Sequence, residues 1–332
     1  MGKRESGADV LRLVGLFLVV LFHSFLNNGY YSQPQTGLRM WLWGSIRWLS
    51  TGCIGIFLML SGYLCCGRTG IRSCWRSLGP VLLGYALAAA VSIPVRHFLF
   101  GDTRSFSGWF TRFYSFQGVY YGWYVGMYVG LVALMPFLNR LLGQLDRRGL
   151  LCFSGVLLVL TALPGLTGAP VVPVFWRNLY PVSYYVLGAA IRRLRPAVPG
   201  WMGIAGALAV SLCMGVATVL STDGSLSQAA TWEFADLWVV FISLGLFLGL
   251  YRLRLPPLAA KIAAIGAGGC YGGYLLSHLL DGWAYRLLRQ FHTPEGYPVV
   301  FVGVSLPIFL LSVTGGWLLE RVTGRGKGVA AC

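Results

Sequence analysis

Three polar side chains interrupt an otherwise apolar stretch near the start of the chain, DVLRLVGLFLVVLFHS, running from Asp9 to Ser24: Asp9, Arg12 and His23. Their types suggest chemistry. Histidine changes charge near neutral pH and serves as a general base. Arginine offers a planar fork of donors suited to phosphate. Aspartate one turn before an arginine is placed to pair with it. Their spacing adds to this. Eleven residues at 100° each overshoot three full turns by about 20° and rise roughly 16 Å, so Arg12 and His23 lie on one stripe of a helix. Taken singly, each has an ordinary reading, a snorkelling arginine and a histidine bonded to a neighbouring helix. Ionisable groups inside a membrane span mostly face a protein interior or a water-filled cavity, and alignment on one stripe favours a shared polar cavity.

The helices that would position this pair belong to a membrane protein. The chain has 332 residues, 56% apolar and only 11% charged, with a mean hydropathy of +0.68; a soluble chain carries roughly 25% charged residues. The 12 Trp and 17 Tyr suit two interfacial belts. The expected fold is therefore an all-α integral membrane protein. Ten apolar runs approach spanning length: 10–28, 46–66, 78–98, 119–139, 150–168, 178–191, 200–220, 236–251, 262–284 and 298–318. The first run has no small-residue cleavage pattern after it and reads as a span, not as a signal peptide.

Of the 26 Lys and Arg, 17 fall in the loops on the side of the N-terminus and 8 on the opposite side, Arg12 lying within the first run. By the positive-inside rule both termini are expected in the cytoplasm. The same distribution accounts for the net charge of +16 without nucleic acid, since no long basic tract exists. Residues 1–9 read as a cytoplasmic segment, 10–318 as one polytopic domain and 319–332 as a basic tail. The eight cysteines lack metal-ligand spacing and read as reduced apolar residues, and no metal is expected. No convincing pair of broken spans, as in many transporters, is visible.

Several blocks in chain order resemble the type-3 membrane acyltransferases. Asp-x-x-Arg, ten apolar residues and His-Ser is similar to that family's first span. GCIGIFLMLSGYL, Gly52 to Leu64, resembles its Phe-Phe-x-x-Ser-Gly-Tyr-Leu ending. YGWYVGMYVGLVALMPFLN, Tyr121 to Asn139, resembles its Trp-Tyr-Leu block, and YGGYLLSHLL, Tyr271 to Leu280, its Gly-Ile-Tyr-Leu-Ile-His segment. Two departures stand out. Arg72 and Arg76 are four apart where the family commonly has a basic pair three apart, and His278 falls one residue later after Tyr274 than in the family.

The resemblance implies an O-acyltransferase of the cell membrane. It would move an acyl group, acetyl in many members, from cytoplasmic acyl-CoA to a hydroxyl of a cell-envelope sugar or glycan, free or lipid-linked. His23 would be the base, with Arg12 and Asp9 beside it in the catalytic set. Arg12, Arg72, Arg76 and Arg140 would meet the donor phosphates, and Ser61, Tyr63, Trp123, Tyr124 and His278 the substrate. Some of these have ordinary readings too: a serine such as Ser61 commonly back-bonds within its helix, and Trp123 and Tyr124 suit an interfacial belt. Glu233 and Asp236 could meet sugar hydroxyls or lie at a solvated loop end, while His97 and His292 sit at loop edges. Tyr180, Tyr184 and Tyr185 read as an interfacial anchor. The alternative from another class is a transporter or flippase in which Arg12 binds an anion and His23 relays protons.

Overall fold

The computed structural model describes residues 4–32, 36–165, 172–221, 234–287 and 303–323. Those residues form helices joined by turns and short 3-10 segments, with no strand among them. In chain order the helices are α1 Ser6–Asn27, α2 Gly37–Thr51, α3 Cys53–Cys65, α4 Ile71–Arg76, α5 Leu78–Phe98, α6 Phe106–Tyr114 and α7 Trp123–Gln144. After these come α8 Arg147–Ala162, α9 Tyr180–Leu194, α10 Gly200–Ser221, α11 Leu237–Leu250, α12 Pro257–Gly268, α13 Cys270–Leu287 and α14 Ser305–Val322. Among the described residues, six segments are long and apolar enough to cross a membrane: 6–27, 37–65, 71–98, 123–144, 147–165 and 200–221. Residues 324–332, most of the expected basic tail, lie outside the described residues, as do Glu233 and His292.

Several expected runs differ in detail from these helices. The run 46–66 begins earlier, at Gly37, and is divided at Gly52 into α2 and α3. Just before the break, Ser50 and Thr51 hydroxyls bond the carbonyls of Arg47 and Trp48, three residues back, and so compete with the regular helical ladder. The run 262–284 is likewise two helices, α12 and α13, meeting at Gly269. A Cβ at Gly269 would stand 2.2 Å from the Val313 carbonyl, so the break sits where α14 crosses with backbone against backbone. Among the described residues Cys53, Cys66, Cys74, Cys152, Cys213 and Cys270 are free thiols.

Helix α1 occupies the middle of the bundle. It packs against α2, α3, α11, α12, α13 and α14, and Leu11, Leu16, Val20 and Phe25 along it are fully buried. Interior helices in a membrane approach closely through small residues, and the seams here follow that rule. A Cβ at Gly7 would be 2.5 Å from the Leu250 carbonyl of α11, and one at Gly62 on α3 would be 1.8 Å from the Tyr185 carbonyl of α9.

The connection between α5 and α7 is pinned, not loose. Gly118 N–H donates to the Tyr85 hydroxyl at 3.1 Å, and that hydroxyl donates to the Phe113 carbonyl at 2.9 Å. Arg96 reaches the Gln117 carbonyl at 3.2 Å and pairs with Asp102 at 2.7 Å, and Phe116 takes a left-handed φ of 59°. This connection delivers Tyr121 to the start of α7, against α1 and α13.

Candidate active site

At the N-terminal end of α1 the charges form a network. Asp9, 1% exposed, accepts from Arg4 Nε at 2.7 Å and Nη2 at 3.0 Å, and from Arg12 Nη1 at 3.0 Å. Arg4 also donates to the Ala264 carbonyl of α12 at 2.9 Å, tying the segment before α1 to the bundle. Glu5 accepts from the Tyr63 hydroxyl at 2.8 Å and from Arg192 at 2.5 Å, and the Arg192 guanidinium lies 4.8 Å from the centre of the Tyr63 ring. Burial opposes ionisation of Glu5, yet the Arg192 and Tyr63 bonds outweigh it and hold the carboxyl below its ordinary value.

The remaining candidate arginines gather at this same end. Asn139 on α7 donates to the Cys65 and Arg68 carbonyls at 2.8 and 2.9 Å, which joins the end of α7 to the start of α4. Arg72, Arg76 and Arg140 are exposed there. Polyanions are met by such clusters of guanidinium groups.

His23 stands about three turns further along α1. The residue is half-buried, and its ring stacks on Tyr121, with centroids 3.5 Å apart and planes within 10°. Its Nδ1 is buried without a hydrogen-bond partner among the described residues. Tyr121 is held from several directions. Its hydroxyl donates to Asp281 Oδ2 at 3.0 Å, while its carbonyl accepts from the Tyr274 hydroxyl. Asn27, one turn after His23, donates to the His23 carbonyl at 2.8 Å. His278 presents its edge to Tyr121, with ring centres 5.8 Å apart, and Nδ1 lies 3.1 Å from the Leu275 carbonyl. Asp281 Oδ1 and His278 Nε2 are buried without partners among the described residues.

This arrangement has two chemically distinct ends on one unbroken helix. One end presents cations suited to a phosphate-bearing ligand. The other presents an imidazole among hydroxyl, amide and carboxyl groups. Residues 5–321 match the family model described as an acyltransferase domain. The chain belongs to the type-3 acyltransferase family. No curated protein and no solved structure matches it.

In this acyltransferase the structure sorts the candidates the sequence offered. His23 and His278 come together around Tyr121. Tyr124 lies next to them, its ring 5.5 Å from Tyr274. Trp123 is exposed and stacks on Phe234 at 5.8 Å, whose ring also lies 6.5 Å from Phe22 beside His23. Ser61 donates to the Phe57 carbonyl at 3.0 Å, its ordinary helical partner, and Tyr63 sits with Glu5 at the arginine end. Asp236 pairs with Arg177 at 2.5 Å. Tyr184 and Tyr185 are buried instead of anchoring at an interface, because their hydroxyls find the Phe234 carbonyl and Asn139 Oδ1, both at 2.9 Å.

Sequence reasoning missed Asn27, Tyr121, Tyr274 and Asp281. The signal for Asp281 was present. It is a carboxylate inside an apolar run, one turn after His278, and the rule that drew attention to the first span applies equally there. Asn27 follows His23 by one turn on the same face. Nothing in the sequence marked Tyr121 among 17 tyrosines.

Proposed function

We propose that this membrane acyltransferase moves an acyl group, acetyl by family likeness, from cytoplasmic acyl-CoA to a hydroxyl of a cell-envelope sugar or glycan. The observation that carries the reading is the placement of Arg12 and His23 on one continuous central helix, the arginine in a cationic cluster and the histidine beside Tyr121. Arg12, with Arg72, Arg76 and Arg140, would meet the donor phosphates, so both termini lie on the cytoplasmic side. The thioester would then reach up the bundle toward His23.

His23 acts as the general base. Its imidazole takes the proton of the acceptor hydroxyl as that oxygen attacks the thioester carbonyl. The tetrahedral adduct collapses with cleavage of the carbon–sulfur bond, and the proton passes from the imidazolium to the departing thiolate. The products are an O-acyl ester and free coenzyme thiol, with no acyl-enzyme needed. General base catalysis of this kind contributes about 10²–10⁴-fold.

The test is acyl transfer or slow hydrolysis of labelled acetyl-CoA by the purified, lipid-reconstituted protein. His23→Ala is expected to lower the rate at least about 100-fold while inserting and eluting as wild type does. Near-full activity in folded His23→Ala overturns the assignment.

A further inference from the structure

A catalytic histidine is ordinarily oriented by a carboxylate or carbonyl that accepts from its second ring nitrogen. His23 has no side-chain carboxylate on Nδ1 among the described residues. What fixes its ring is the face of Tyr121, parallel and 3.5 Å away. A stacked surface orients a base only if it is itself immobile, and the bonds on Tyr121 supply that. The Tyr274 hydroxyl holds its backbone carbonyl. The bond that sets the rotation of the ring from the opposite side is the one from its hydroxyl to Asp281, at 3.0 Å.

Asp281 is otherwise costly. It is 1% exposed, it lies in α13, and no ion pair of its own is present among the described residues. A leucine would fill such a position without desolvating a carboxyl group. The geometry points to Asp281 as a positioning residue for the acyl-transfer base, acting on His23 through Tyr121. This rests on the acyl-transfer reading only for its kinetic consequence. The mechanical claim, that Asp281 holds Tyr121 and Tyr121 holds the imidazole, stands on the geometry.

The experiment uses the full-length reconstituted protein and four variants: Asp281→Leu, Asp281→Asn, Tyr121→Phe and the Asp281→Leu/Tyr121→Phe pair. Asp281→Leu and Tyr121→Phe are each expected to lower kcat by about 10–100-fold, the scale of a base displaced by an ångström or less. The KM values for donor and acceptor should stay within about twofold, since neither residue touches the arginine end. Asp281→Asn, whose amide oxygen still accepts the tyrosine hydroxyl, should recover most of what Asp281→Leu loses. The double variant should be no worse than the poorer single one, because both remove the same bond.

A second readout does not depend on turnover. Modification of His23 by diethyl pyrocarbonate, followed by peptide mass spectrometry, should change several-fold and in the same direction in Asp281→Leu and Tyr121→Phe. Elution profile and thermal midpoint report folding; should Asp281→Leu fail to insert, Tyr121→Phe, which leaves Asp281 in place, carries the test. Wild-type kcat in folded Asp281→Leu, multiplicative losses in the double variant, or unchanged His23 modification in both single variants overturns the proposal. Absence of any His23-dependent transfer in the wild type would instead overturn the acyl-transfer reading, and the modification experiment would still decide the positioning role.

Discussion

The seam between α3 and α9 is built backbone against backbone, and a single methyl group tests it. A Cβ on Gly62 would stand 1.8 Å from the Tyr185 carbonyl oxygen, 2.7 Å from its carbonyl carbon and 3.0 Å from the Ala189 nitrogen. All three are backbone atoms, so no side chain can swing aside. To bring the oxygen out even to 3.0 Å, the two helices must separate by more than about 1 Å, losing contact along the seam. The reciprocal contact compounds this, since a Cβ on Gly188 would lie 1.9 Å from the Met59 carbonyl. Overpacking of this kind costs about 1–3 kcal/mol, and rigid neighbours put Gly62→Ala near the upper end. Alanine's helix propensity returns up to about 1 kcal/mol. The net destabilisation is about 2 kcal/mol, a fall in thermal midpoint on the order of 5 °C. Gly130→Ala on α7 is the control, because nothing lies within 4 Å of a Cβ there, and it should match or exceed wild type. Tryptophan-fluorescence melts of the detergent-purified variants check both. Gly62→Ala melting at or above wild type, or Gly130→Ala falling equally, would refute the packing argument.

Other expectations concern the arginine end. Asp9→Asn keeps the shape of the side chain but removes the charge that Arg4 and Arg12 share. It should raise the KM for acyl-CoA by about tenfold, equivalent to about 1.4 kcal/mol, with little change in kcat; an unchanged donor KM would separate Arg12 from the donor site. Glu5 is held below the ordinary carboxylate value of 4.5, so in the folded state it stays ionised to lower pH than in the unfolded chain. Its contribution is fully present above about 4.5 and lost as pH falls through the depressed folded value. Thermal midpoints of wild type and Glu5→Gln should therefore differ at pH 7 and converge as pH falls through the depressed folded value, and a constant gap would contradict this. These sit beside the loss of transfer in His23→Ala and the coupled behaviour of Asp281 and Tyr121.

How much of this was legible in the sequence varies by residue. Asp9, Arg12 and His23 stood out because hydrocarbon tolerates few ionisable groups, and their helical spacing followed from one uninterrupted apolar run. The Asp9–Arg12 pair formed as the spacing implied, at 3.0 Å. Helix α5 matches its apolar run end for end. The breaks at Gly52 and Gly269 did not show, because hydropathy averages over a window while a break depends on which backbone crosses at that point. Tyr184 and Tyr185 misled for a related reason: tyrosine suits an interface or a bonded interior equally, and only the partners Phe234 and Asn139 decide.

By itself the sequence determined a helical membrane chain, a family, and an arginine and a histidine about 16 Å apart on one helix face. These depend on local composition and on a period that every helix shares. Tertiary structure alone decided that α1 is the central helix, that Tyr121 arrives on a pinned loop to lie against His23, and that α13 turns His278 and Asp281 toward the same ring. Each depends on contacts between residues roughly 40 to 280 positions apart, and helix periodicity carries no information over such distances.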